Sequence, residues 1–225
     1  MTHVLLVEDD EVIRRTVGLA LERYGYTVET APDGLAGLEA FRAGGHDVLL
    51  LDVMLPGLDG IGLCRRIRET SLVPIVMMSA RGDGLDVVSG LEAGADDYVV
   101  KPVDTAVLVA RIRSVLRRSA PAALAGSEAP GAVLAFGDLT VDTAGMEVRR
   151  DGRPVALTPT ELRLLLEFAA QPGVVLGRRA LLSSVWDHAW DGDSRVVDLA
   201  VQRLRAKIGA DRIETVRGFG YKLRR

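Results

Sequence analysis

Five side chains suited to handling a phosphoryl group stand where apolar runs of the chain end. Glu8 and Asp9 follow HVLLV, Asp52 follows VLLL, Ser79 follows PIVMM, and Lys101 follows DYVV. If those runs are neighbouring strands, three carboxylates, a hydroxyl and an amine line one rim. Carboxylates held that close repel unless a cation sits among them or they share protons. An all-oxygen site open on one side suits Mg²⁺, which keeps some of its waters and accepts phosphate oxygens as ligands. Ser79 and Lys101 can hold the other phosphoryl oxygens, and an aspartate can serve as nucleophile toward phosphorus. Singly, each residue is weak evidence, because acids at strand ends are often solvated caps. Five such groups at the ends of four runs point to one site.

The elements that must position them are legible as runs. VLLLDVMLPGLDG (48–60) is apolar up to Asp52 and closed by Pro56-Gly57, the pattern of a strand buried on both faces. In open α/β sheets, ligands bind just beyond the carboxyl ends of such strands. HVLLVEDD (3–10), TVETA (27–31), PIVMMSA (74–80) and DYVVKP (97–102) are the other strands. Helical stripes fall between them, at Glu11–Tyr24, Asp33–Phe41, Ile61–Ile67, Leu85–Ala93 and Thr105–Arg118. Strand–helix alternation with short loops predicts a doubly wound, flavodoxin-like α/β domain over residues 1–118, with a five-stranded parallel sheet. Residues 119–132, SAPAALAGSEAPGA, carry no periodicity and read as a flexible linker.

Residues 133–225 are organised differently. Short strands fill 133–158, with a hairpin signal at Asp151-Gly152. Thr158, Pro159 and Glu161 form a capping box that opens a helix. Arg179–Trp186 and Ser194–Ile208 read as two further helices, and IETVRGFGYKLRR as a terminal hairpin. Three helices followed by a hairpin make a winged-helix (α+β) domain. Residues 1–118 carry 13 basic and 18 acidic side chains, whereas residues 194–225 carry 9 and 3. An acidic first half and a basic tail predict different partners for the two ends. No apolar run approaches the ~20 residues of a membrane helix, and MTHVLLVEDDE shows no secretory pattern. The single cysteine, Cys64, forms no intrachain disulfide; it reads as packing in a reducing compartment, so a cytoplasmic protein is expected.

The motifs VEDD (7–10), DVMLPGLDG (52–60), MSA (78–80), GADDY (94–98) and KP (101–102) resemble the receiver domain of two-component response regulators. LTPTELRLLL, SRVVDLAVQRLRAKIG and TVRGFGYKL resemble the winged-helix effector of the OmpR/PhoB subfamily. The resemblance implies that Asp52 accepts a phosphoryl group from a sensor histidine kinase. It implies a Mg²⁺ ion bound by Asp9, Asp52 and the Met54 carbonyl, with Glu8 acting through water. It further implies that Ser79 and Tyr98 report phosphorylation to a dimer face, and that the Lys101–Pro102 bond is cis. That face would use an apolar patch of Val88, Leu91 and Ala110. Two charged pairs would cross it, Asp97 with Arg111 and Asp96 with Arg118. Where the subfamily places a third pair, lysine with glutamate, this chain has Val87 and Val107.

Helix 194–209 must present donors to base edges and cations to phosphates. With Val197, Leu199 or Ala200, Leu204 and Ile208 facing inward, Arg195, Gln202, Arg203 and Arg205 remain for double-stranded DNA with tandem half-sites. Thr215 and Arg217 of the hairpin join them, Arg217 as a minor-groove contact. The loop 187–193, DHAWDGD, matches the segment that touches RNA polymerase in the subfamily, with Trp190 either a contact or a core plug. Two rivals stand beside the phosphorylated homodimeric regulator. One is a Mg²⁺-dependent phosphatase, which would need an acid where Met54 stands. The other is a regulator that dimerises without phosphate.

Overall fold

The computed structural model describes residues 1–80, 84–119, 133–143, 145–186 and 195–224, without the side chains of 84–87, 118 and 119. The expected linker beyond Ser119, the 187–193 loop with Trp190, and the Val87 and Arg118 side chains lie outside the described residues. The chain divides into two compact units, Met1–Leu116 and Arg117–Arg225. Among the described residues, no helix is long and apolar enough to cross a membrane.

The first unit holds a parallel sheet of β1 (His3–Val7), β2 (Thr27–Ala31), β3 (Val48–Asp52), β4 (Ile75–Ser79) and β5 (Asp97–Val100), in the order β2-β1-β3-β4-β5. That order reverses direction between β1 and β3, the switch point at which open α/β sheets place their ligands. Every residue of β3 and β4 is buried, which explains their unbroken apolar runs. Helices α1 (Glu11–Arg23), α2 (Gly34–Ala43), α3 (Gly60–Arg68) and α4 (Gly84–Glu92) connect the strands, and α5 (Thr105–Ser119) follows the last of them. Leu108, Val109, Ile112 and Val115 of α5 pack with Leu6, Leu50, Val76 and Met78 in the main core. Asp10 is the N-cap of α1, its Oδ1 accepting from the amides of Val12 and Ile13.

The second unit has an antiparallel meander of β6 (Val133–Phe136), β7 (Leu139–Asp142), β8 (Glu147–Arg150) and β9 (Arg153–Pro154). Helix α6 (Pro159–Ala170) opens with the complete capping box of Thr158 and Glu161. The helix expected over 179–186 is α-helical only through α7 (Arg178–Leu181); Leu182–Trp186 widens into a π turn that leaves Leu181, Val185 and Trp186 all buried. Helix α8 (Arg195–Ile208) leads into the hairpin β10 (Ile213–Val216) and β11 (Gly220–Leu223). A bridge from Leu176 to Tyr221 fastens the hairpin to the segment ahead of α7.

Candidate functional sites

The strand ends of the first unit bring the predicted phosphoryl-handling residues together. Glu8 is 1% exposed and Asp52 4%, while Asp9 faces solvent. One carboxylate oxygen from each lies within 4.8 Å of the others. The Lys101 ammonium stands 2.5 Å from Glu8 Oε2 and 3.0 Å from Asp52 Oδ2. Its position is set by its own amide, which donates to the Ser79 carbonyl at 2.7 Å, and the Lys101–Pro102 bond is cis. Ser79 is fully buried at the end of β4, beside β3. Arg14 Nη1 donates to the carbonyls of Glu8 and Asp9, fixing the turn that carries the acids. Met54, two residues past Asp52, is exposed.

Burial is the main force on Glu8 and holds its carboxyl above the ordinary range. The Asp52 and Asp9 charges push it further the same way, while the Lys101 hydrogen bond and charge oppose them. Asp52 Oδ1 is buried with no hydrogen-bond partner among the described residues. An orphaned carboxylate oxygen beside two further carboxylates is a donor set of hard oxygens, so the residues present fit a divalent cation such as Mg²⁺. Lys101 neutralises one of the three charges.

The loop after Asp52 folds back onto the strand that carries it. Gly60 N donates to the Val53 carbonyl, and a Cβ on Gly60 would fall 1.9 Å from the Asp52 carbonyl oxygen. Glycine is required there by the closeness of the backbones.

The predicted dimer residues divide. Ala110 is exposed and Val88 half-buried. Val107 and Val100 are 46% and 45% exposed. Leu91 corrects the expectation of a surface patch: it is 1% exposed and belongs to the core. Asp96 is equally buried; its Oδ2 accepts from Arg68 Nη2 at 2.8 Å and from the Ile75 amide at 3.0 Å, so it joins α3 to β4 within the chain. Asp97 has no exposed side-chain surface and lies 3.6 Å from Arg111 of its own chain. Tyr98 is buried with its ring near Gly90 of α4.

In the second unit, α8 buries a wider face than its inward stripe predicted: Val196, Val197, Leu199, Ala200, Val201, Leu204 and Ile208. Arg195 and Gln202 are exposed, as is Arg217 in the hairpin turn. Arg203 and Arg205 depart from the expected outward set. The Arg203 side chain is 13% exposed, with Nε 3.8 Å from Glu161 Oε1 on α6. Lys207 Nζ reaches the other Glu161 oxygen at 2.6 Å, so the capping glutamate also clamps α8. Arg205 folds back onto β10: Nε and Nη2 donate to the Ile213 carbonyl, and Nη2 to Thr215 Oγ1 at 2.8 Å. Both arginines are diverted by acceptors that only the tertiary fold delivers.

Sequence reasoning also misses a triad. Arg178 Nε and the Tyr221 hydroxyl both donate to Asp198 Oδ1, at 2.7 and 2.6 Å, and the Arg178 guanidinium lies 4.9 Å from the Tyr221 ring centre. It joins α7, α8 and β11. Burial chiefly, then the bond to Asp198, holds the Tyr221 phenol above its usual value. Tyr221 lies within the run TVRGFGYKL, but nothing in that run names its partners.

The family model described as "Response regulator receiver domain" matches residues 4–113, and that described as "Transcriptional regulatory protein, C terminal" matches 152–223. The transcriptional regulatory protein CseB of Streptomyces coelicolor is 67% identical over 229 residues, covering 99% of this chain and 98% of that protein. AfsQ1 of the same organism, also named a transcriptional regulatory protein, is 50% identical over 99% of this chain and 98% of its own length. Among solved structures, the response regulator DrrB of Thermotoga maritima, titled an OmpR/PhoB homolog, is 33% identical, with a TM-score of 0.50 and full coverage of both chains. A mutant of RitR reaches a TM-score of 0.77 at 26% identity over all of this chain and 99% of that one.

Proposed function

The chain belongs to the two-component response regulators of the OmpR/PhoB type, with a receiver domain and a DNA-binding domain that regulates transcription, and on that premise we propose that Asp52 is its phospho-acceptor. The observation that carries this reading is the Lys101 ammonium held between Glu8 and Asp52, with Asp52 Oδ1 left without a partner among the described residues. The donor is a phosphohistidine of a sensor histidine kinase. The ionised Asp52 carboxylate attacks phosphorus, the P–N bond breaks, and the electron pair leaves on the imidazole, which takes a proton. Lys101 binds a phosphoryl oxygen, and the buried Ser79 side chain takes another. Asp9, Asp52 and the Met54 carbonyl would hold Mg²⁺, with Glu8 acting through water. When bound, the ion supplies positive charge opposite the phosphoryl oxygens as they approach the acid cluster.

Phosphorylation then favours a homodimer through the α4–β5–α5 face, where Val88 and Ala110 provide contact and Tyr98 responds to Ser79. For Asp97, Asp96 and Leu91 to reach a partner, their internal contacts must open. In the second unit, α8 enters a major groove with Arg195 and Gln202 leading, and Arg217 meets the adjacent minor groove. Two copies occupy tandem half-sites about one helical turn apart. The 187–193 loop is the candidate contact for RNA polymerase, and the protein works in the cytoplasm.

The test is intact-mass spectrometry with acetyl phosphate. One phosphoryl group is expected on the native chain with Mg²⁺, and none in Asp52→Asn or without Mg²⁺. Equal modification of Asp52→Asn overturns the assignment.

A further inference from the structure

Phe219 is 74% exposed at the tip of the β10–β11 hairpin, although aromatic side chains ordinarily supply core area. Its amide donates to the Val216 carbonyl at 3.0 Å, closing the turn Val216–Phe219, which also carries the exposed Arg217. Flanking glycines at φ +80° (Gly218) and +147° (Gly220) shape that turn. The hairpin is mounted rigidly. Arg205 holds the Ile213 carbonyl and Thr215. The Tyr221 hydroxyl is tied to Asp198, and Leu176 and Tyr221 exchange backbone hydrogen bonds. A Cβ on Gly220 would strike the Leu176 carbonyl at 2.1 Å, so the base of the turn is pressed against that segment. The phenyl ring is therefore held largely in water by a fixed support.

We propose that Phe219 is a wedge that enters the minor groove of bound DNA beside Arg217 and partly unstacks a base step there. The occupant follows from charge. Residues 213–224 carry Arg217, Lys222 and Arg224 against one acid, Glu214, which both Lys222 and Arg224 already face. A basic turn selects a polyanion. On a duplex, the apolar surfaces open to a phenyl ring are the sugar walls and the base faces, because the phosphates repel it. Apolar side chains inserted between minor-groove steps kink a duplex by roughly 20–90°. Pyrimidine–purine steps yield most easily, so Phe219 gives a preference for such a step at a position where no hydrogen bond reads the base. The inference rests on the hairpin lying in the groove as proposed above.

The experiment uses the full chain and duplexes that it selects from a random pool, end-labelled for energy-transfer measurement of the bend. Phe219→Ala is expected to keep the native melting curve, to bind on the order of tenfold more weakly, as loss of one buried phenylalanine implies, and to bend the duplex less. The dependence of binding on salt should not change, since no charge is removed. Replacing a pyrimidine–purine step at the hairpin position by an A-tract should weaken the native chain and leave Phe219→Ala unaffected. If Phe219→Ala bends the duplex as the native chain does, the wedge is wrong, whatever the affinity. Arg217→Ala separates this from failure of the groove reading. If it weakens binding and lowers the salt slope while Phe219→Ala keeps the bend, only the wedge falls; if Arg217→Ala binds like the native chain, the hairpin lies off the DNA and both readings fall.

Discussion

The Lys101 ammonium reaches Glu8 Oε2 at 2.5 Å across 93 residues of sequence. Glu8 is almost wholly buried, so this contact, with the 3.0 Å approach to Asp52, is what makes a crowded acid pocket tolerable in a folded chain. Lys101→Met should leave buried carboxylates without a counter-charge and cost about 3–5 kcal/mol. Mg²⁺ binding to the native state should recover part of that loss. Urea unfolding with and without Mg²⁺ measures both; a variant as stable as the native chain in metal-free buffer contradicts the role given to the lysine.

Gly60→Ala places a methyl against the Asp52 carbonyl. The strand end must move, at a cost of about 1–3 kcal/mol for overpacking. Phosphorylation by acetyl phosphate should slow, because Asp52 shifts relative to Lys101. An unchanged rate would show that the loop has room that the geometry denies.

Ala110 is exposed, so Ala110→Asp should leave monomer stability within about 0.5 kcal/mol and still block the phosphorylation-dependent dimer. Leu91→Asp, by contrast, introduces a charge into the core and should unfold the first unit. Sedimentation of phosphorylated Ala110→Asp as a dimer removes this face from the interface.

On α8, Gln202→Ala should cost about 1–3 kcal/mol on specific DNA and relax the preference at one base pair. Arg195→Ala should weaken all sequences alike and lower the salt slope by about 1. Arg203→Ala should act mainly on stability, since its guanidinium faces Glu161. Titrations on specific and scrambled duplexes at several salt concentrations distinguish these roles; loss of base preference in Arg203→Ala alone would reverse them.

Tyr221 holds its proton more tightly folded than unfolded, because burial and Asp198 both disfavour the phenolate. Its contribution is therefore complete below about pH 10, the unfolded value, and declines as pH rises through the higher folded value. Asp198→Asn should bring the ultraviolet titration of Tyr221 back toward the ordinary value. An unshifted titration in that variant would remove Asp198 as a cause.

The strands and the acid cluster are legible in the sequence because burial on both faces leaves an unbroken apolar run, and because a parallel sheet gathers strand ends whatever their separation along the chain. Leu91 is not legible. Helix α4 is apolar on several sides, and periodicity cannot tell the side facing the sheet from a side facing a partner. Arg203 and Arg205 fail for another reason. A helix position fixes where a side chain starts, but a long arginine ends at whatever acceptor the fold supplies, here Glu161 and the Ile213 carbonyl. Asp96 reads as a partner contact for want of Arg68, 28 residues away.

Arg205 has a metric consequence. By gripping the Ile213 carbonyl and Thr215 together, it welds the end of α8 to the first strand of the hairpin. The span from Gln202 to Arg217 is then a fixed length of the protein, like the jaws of a caliper. One base pair inserted between the two contact points proposed for them lengthens the duplex by about 3.4 Å, which two side chains on a rigid mount cannot absorb. With the docking proposed above, such a site would have to deform or release one jaw, and the protein would measure distance along DNA as well as base identity.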